Sequence, residues 1–271
     1  MRRIYLLALL ILAPNILGQQ LIQSDETFEW GAGTLSFRGA HYRGSDQERN
    51  WFLPLPYFTY TSKRIQAEPS FVRGTFYEND FFALKLSILA GLNVESEENL
   101  ARRGMPSLDY TFEVGPMAIF KLWTSPSQNF SVTLEAPFRM VNTTDLTYVK
   151  HTGYFSVPYL NLRSRPLKSL YDWAFEASVA YMWGSKDFHD HFYGVAPQYA
   201  TAARGSYQGR AGYSGTQLTL ILNRRYKDVV MVPFIRHDFL GDVAFDDSPL
   251  FKKKSYTVGG LAFFWLFGNS L

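Results

Sequence analysis

Phe82-Ala83-Leu84-Lys85-Leu86-Ser87-Ile88-Leu89-Ala90-Gly91-Leu92-Asn93-Val94 is the stretch that decides the fold. Every second residue from Phe82 to Val94 is apolar, and the residues between them include Lys85, Ser87 and Asn93. A repeat of two sets these groups on opposite faces of a β-strand. The pattern returns three times. Leu108, Tyr110, Phe112 and Val114, then Ala118, Phe120 and Leu122, face away from Asp109, Thr111, Glu113 and Lys121. Phe130, Val132, Leu134, Ala136, Phe138 and Met140 alternate with Ser131, Thr133, Glu135 and Arg139. Tyr171, Trp173, Phe175, Ala177, Val179, Tyr181 and Trp183 alternate with Asp172, Glu176 and Ser178, with aromatics at both ends where interfacial girdles would lie.

Such runs are roughly twice the length of the about five or six residues usual in soluble strands. Their regular face is apolar and the opposite face carries the charges. A soluble barrel turns its apolar face inward, whereas a membrane barrel turns it to lipid and keeps polar groups in the lumen. A tilted strand of about 9–11 residues crosses the hydrocarbon. The expectation is therefore an all-β transmembrane antiparallel β-barrel; the alternative is a secreted lipocalin-like barrel or large sandwich. Weaker strands are expected at 28–39, 51–61, 65–76, 153–163, 213–224, 229–238 and 254–267. That makes eleven, and a chain with both ends on one side needs an even number. The expected range is about 10–12 strands. Either one segment within 28–76 lies outside the wall, or 185–212 hides a strand. Short turns at 125–128 and 225–228 alternate with long connections at 95–107, 143–151, 185–212 and 240–253. The final strand, 256–267, is apolar on both faces.

Composition agrees with this class. The 271 residues are 46% hydrophobic, 19% charged and 17% aromatic, which excludes a disordered chain. Mean hydropathy is −0.14, and a helical membrane bundle is excluded because repeated long apolar runs are lacking. With no cysteine, a disulfide framework, a thiolate metal site and a cysteine nucleophile are all excluded. Met1-Arg2-Arg3, the apolar run Ile4 to Leu12, Pro14 and Gly18 read as a secretory signal peptide over 1–18, leaving 19–271 as the barrel. Without Arg2 and Arg3 the net charge falls from +3 to +1, so no bulk attraction to nucleic acid is expected.

Two sets of residues invite a chemical reading. Asp187, His189, Asp190 and His191 resemble an acid–base or metal-binding cluster, and in an extended strand both imidazoles would share one face. Against this, a polar loop tip has the same composition, and no third ligand can be named; no catalytic residue, metal or cofactor is assigned. Lys85, Glu113, Lys121, Glu135, Arg139, Asp172 and Glu176 all fall on the inward register. They describe an ion-selective pore or ligand pocket on one reading, and a network of paired charges filling a narrow interior on the other. Arg102-Arg103 and Lys252-Lys253-Lys254 lie in long connections, where they could touch lipopolysaccharide phosphates.

A series of short fragments carries a family resemblance. Tyr42-Arg43-Gly44-Ser45-Asp46 precedes Leu53-Pro54-Leu55-Pro56-Tyr57. Tyr193-Gly194-Val195, Ala202, Arg204 and Ala211-Gly212-Tyr213 follow, then Arg236, Leu240-Gly241-Asp242 and Asp247-Ser248-Pro249-Leu250. In this order the chain resembles the MipA/OmpV family of outer-membrane proteins, over nearly all of 19–271. The resemblance implies a non-catalytic barrel in the outer membrane of a Gram-negative bacterium. It would be in contact with lipid and lipopolysaccharide and would scaffold murein synthesis between a lytic transglycosylase and a penicillin-binding protein. A narrow channel or small-solute binder, and a barrel hydrolase using 187–191, are the alternatives.

Overall fold

The computed structural model describes residues 27–61, 65–68 and 71–270; the expected signal segment 1–18 lies outside them. The strands are β1 (Thr27–Ala40), β2 (Glu48–Thr61), β3 (Ile65–Glu68), β4 (Phe71–Glu78), β5 (Phe82–Gly91) and β6 (Tyr110–Thr124). They continue as β7 (Phe130–Thr144), β8 (Lys150–Ser156), β9 (Tyr159–Ser164), β10 (Ala174–Gly184), β11 (Gly212–Tyr226), β12 (Val229–Phe239) and β13 (Ser255–Ser270). Every pairing is antiparallel, and β1 pairs with β13 from Phe28↔Ser270 to Arg38↔Gly259, so the sheet closes on itself. β8 and β9 share one place in the wall, both lying between β7 and β10. They are parted at Val157-Pro158, where proline has no N–H to give the ladder. The described wall thus has twelve positions.

The even number comes from the segment expected as one strand at 65–76, which is the hairpin β3–β4. Residues 185–212 hide no strand; they carry the helix α1 (Lys186–Tyr193). The long connection expected at 143–151 shrinks to 145–149, because β7 and β8 extend into it. Connections 41–47, 92–109, 145–149, 185–211 and 240–254 gather at one end of the barrel. The turns 79–81, 125–129, 165–173 and 227–228 lie at the other, with both ends of the described sheet.

The outer face is an apolar belt. Phe120, Leu134, Phe138, Val179, Leu218, Leu220, Ile235, Leu261 and Phe263 are exposed, while Glu113, Glu135, Arg139 and Glu176 between them are buried. A belt of this kind belongs against acyl chains. Tyr181 stacks on Tyr213 with ring centroids 5.0 Å apart at the loop end, and Trp30 meets Phe267 edge-on at 5.2 Å near the turn end. Tyr171 and Trp173, expected on a strand, instead belong to the 165–173 turn, where Tyr171 has φ +54°.

The interior departs from a uniformly polar lumen. Strands β6 to β10 do turn acids and bases inward. From β1, β2, β12 and β13, however, Leu35, Phe37, Tyr57, Val232, Phe234, Val258 and Phe264 point into a buried apolar core. Both faces of β13 are therefore used, one against lipid and one against this core. At Gly33 a Cβ would collide with the Phe264 ring and the Phe263 carbonyl, so the close packing of β1 on β13 requires glycine there.

The belt predicts a depth-dependent response. Phe263→Arg, midway along β13, should cost about 2–4 kcal/mol of folding stability, and Ser255→Arg at the strand's loop end about 1 kcal/mol or less. Urea unfolding from lipid vesicles measures both.

Candidate functional site

Alternation on β6, β7 and β10 brings Glu113, Glu135, Arg139 and Glu176 to the inner wall. The Arg139 Nε donates to Glu113 at 2.7 Å and its Nη1 to Ser87 Oγ at 3.2 Å. A second group centres on Arg163 of β9, whose guanidinium lies 3.2 Å from Glu176 and 3.5 Å from Glu135. Asn161 donates to Glu176 at 2.7 Å, and Tyr159 and Thr133 donate to Glu135 at 2.6 and 3.1 Å. Lys85 and Lys121 meet lower down, at Glu78, 3.8 and 2.8 Å from its carboxylate. Asp172 joins none of these. It is exposed in the 165–173 turn at φ +62°, because β10 begins only at Ala174. Arg163 was missed, although Tyr159, Asn161 and Arg163 share the inward parity of β9.

At the loop end four connections fold over the mouth into one cap, and the fragments that carry the resemblance are its fastenings. Tyr42 donates to the Leu250 carbonyl at 2.8 Å, and Tyr193 to the Arg43 carbonyl at 2.9 Å. Ser248 donates to the Tyr193 carbonyl at 2.8 Å, and the Tyr193 ring stacks on Phe245 at 3.6 Å. Ser45 accepts from Asn99 at 3.0 Å. Arg204 donates to the carbonyls of Ala101 and Arg103, each at 3.0 Å. Val195 pairs with Tyr207, and Gly194 ends α1. Gly44, at φ +84°, lies under the Phe251 ring where a Cβ would clash, and its carbonyl accepts from Lys252 and Lys253. Gly241 and Asp242 form an exposed bend beside buried Leu240, Pro249 is half-buried, and Pro56 sits apart on the outside of β2. Arg102 is a cap residue too, donating to Phe192 and Pro106 carbonyls, so it is not free to meet phosphate; Arg103 and Lys252 to Lys254 are exposed.

The 187–191 cluster is helical. Ser185 caps α1 by accepting from the Phe188 N–H at 3.3 Å. A helix turns His189 and His191 about 200° apart, so they do not share a face. His189 is fully buried, with Nδ1 and Nε2 each 2.5 Å from the Arg210 carbonyl and Ser214 Oγ. A carbonyl only accepts, so Nδ1 carries the proton and Nε2 accepts from the serine hydroxyl. Burial pushes this imidazole down to about 4. A base so weak does not activate Ser214 at neutral pH; the pair is a strut between α1 and β11. Burial and the Arg102 guanidinium bring His191 to about 4 as well. Asp187 is exposed and Asp190 accepts from the Gly209 N–H at 2.8 Å. Among the described residues no three His, Asp or Glu side chains are grouped to hold a metal ion.

Under the cap is a cavity of about 240 Å³, lined mainly by apolar and aromatic side chains, among them Phe37, Trp51, Leu92, Phe192 and Phe234. Arg43 and Arg236 reach its wall and share buried Asp238, at 3.4 and 2.9 Å. Gln217 donates to the same carboxylate at 2.9 Å. In the sequence Arg43 and Arg236 stand out only within the family fragments and Asp238 not at all, though 236 and 238 share one parity on β12.

The sequence profile described as MltA-interacting protein MipA matches residues 31–267. No curated protein matches the chain. Among solved structures, the NanC porin in a rhombohedral crystal form is similar at 8% identity and TM-score 0.39, over 89% of this chain and 98% of that one. The Pseudomonas putida toluene transporter TodX is similar at 11% identity and TM-score 0.26, over 92% and 69%.

Two outcomes follow for the site. Arg163→Met should cost about 3–5 kcal/mol, since it removes the guanidinium that pairs with buried Glu176 and Glu135. Adding Glu135→Gln and Glu176→Gln should recover most of that loss in the same urea assay. His189 and His191 bind protons less readily folded than at their ordinary value of 6.5, so the cap is fully stable above that pH and weakens as pH falls toward about 4. Hydrogen exchange of 185–214, corrected for intrinsic rate, should rise across this window, and His189→Asn should flatten the rise.

Proposed function

The chain belongs to the MltA-interacting protein MipA family, and on that premise we propose that it is a non-catalytic outer-membrane scaffold for peptidoglycan-remodelling enzymes. The observation that favours this reading over a conducting pore is an obstructed interior. A paired-charge wall, an apolar core and a cap stitched from four connections occupy the space a conducting pore would need. Barrels of this class place long loops outside and short turns in the periplasm. On that orientation the cap faces outward, with Arg103 and Lys252 to Lys254 toward lipopolysaccharide, and the turns face the murein.

The partner suggested by the family's description is a lytic transglycosylase; a penicillin-binding protein is the second enzyme such a scaffold would bring to it. The turn 165–173 suits a docking point, since it presents Leu170 and Tyr171 at 49% and 77% exposure. An exposed apolar pair on a turn anchored at both ends can enter a partner's pocket without reordering.

A photoreactive residue at Tyr171 in growing cells should crosslink to a lytic transglycosylase, and Leu170→Asp should abolish the adduct. Recovery of no murein enzyme would overturn the partner assignment. The purified barrel should be silent in planar bilayers; steady single-channel steps would favour a narrow channel instead.

A further inference from the structure

We infer that the cavity under the cap is a binding site for a small amphipathic monoanion, an apolar body with one acidic group, which enters sideways from the lipid through a gap between β2 and β5. This is independent of any scaffold role. The occupant follows from the lining. Most of the wall is aromatic or aliphatic, and its fixed charges do not balance: two guanidinium groups face one carboxylate. Asp238 is already saturated by Arg236, Gln217 and Arg43. Arg43 is the cation in excess. Its Nη2 is held by the Ser214 carbonyl at 3.1 Å and by Asp238, whereas its Nε is buried with no partner. A guanidinium with no carboxylate of its own is unfavourable in such a wall, and an anionic headgroup is the ligand chemistry that would balance it. At about 240 Å³ the cavity is smaller than the ~300–1,000 Å³ of drug-sized sites, which suits a medium-chain carboxylate such as octanoate.

The route follows from the register. β2 pairs along its whole length with β1, but on its other edge it meets β3 only at Tyr60 and Thr61. β4 pairs with β5 only through Ala83, Leu84 and Lys85. Among the described residues, 48–59 of β2 and 86–91 of β5 therefore face each other with no strand between them. The unbroken ladder to β1 obliges Pro54 and Pro56 to turn their ring nitrogens toward the gap, because neither can donate. An edge that lacks alternate donors resists being zipped by another strand. Trp51 lines the cavity from the β2 flank and Gly91 and Leu92 from the β5 flank. The Arg49–Glu98 ion pair, at 2.8 Å, spans the gap at its loop end.

The test uses the full-length barrel in phosphatidylcholine nanodiscs, with empty nanodiscs as the blank and calorimetry as the readout. Octanoate should bind saturably, and octanol, with the same body and no charge, about tenfold to hundredfold more weakly. Arg43→Leu leaves Arg236 and Asp238 paired one to one, and should weaken octanoate by a similar factor. Leu92→Trp should crowd the cavity and weaken octanoate binding. Octanoate binding that is absent, equalled by octanol, or unchanged in either folded variant would overturn the site. For the route, the cysteine-free chain allows Pro54→Cys to be labelled with a bulky maleimide. That label should slow octanoate association several-fold without changing the endpoint, while the same label on Ser36→Cys should not. Equal rates would overturn lateral entry.

Discussion

In hydrocarbon no water is available to a backbone amide, so a sheet that crosses a membrane must give every N–H and C=O a partner within itself. The antiparallel seam between β1 and β13 meets that demand where the chain's two ends would otherwise leave raw edges. Closing the seam fixes which side chains face in and which face out. Each later property of the molecule (its belt, its charged wall, its cap) is a consequence of that assignment. Where the ladder is interrupted among the described residues, beside β2, proline replaces two of the donors that would have needed partners.

Twelve wall positions enclose a space too narrow to be a broad channel and too wide for strand side chains alone to fill. The protein uses two chemistries to fill it. Around Arg163 the charges are so desolvated that each survives only with its partners in place, which makes that wall intolerant of single replacements. Across the lumen, Phe37, Phe234 and Phe264 form an apolar surface that must itself be covered, and α1 and the 240–254 connection cover it with Tyr193, Val243 and Phe245. The cap is thus the second half of a hydrophobic core that the strands begin.

What could be read beforehand was whatever depends on neighbours in the chain. The inward register of Glu113, Glu135, Arg139 and Glu176 follows from local alternation, and so does the belt opposite. The strand boundary at 171–173 was misplaced because apolar spacing continued by chance through a turn whose backbone takes positive φ. A helix at 186–193 was written in Ser185 as a cap and in Phe188 and Phe192 four apart, but it is short and its histidines suggested chemistry instead. The burial of His189 depends on Arg210 and Ser214, and the pairing of Arg43 with Asp238 joins positions 195 apart. No local pattern encodes such contacts; they exist only once the sheet has closed.

The hydrogen bond from Tyr42 to Leu250 spans 208 positions, nearly the whole described chain. Contacts of such high sequence separation form late, because the chain between them must first be ordered. A biogenesis intermediate in which β13 has not docked on β1 would hold the 240–254 connection at one end only, so Ser248 and Leu250 would lack their fixed places against Tyr193 and Tyr42 and the aromatic surface of the mouth would be loosely covered. Setting of the lid is therefore a built-in report that the last strand has docked. Added protease would read the difference, cutting stalled chains within 185–211 and sparing finished ones.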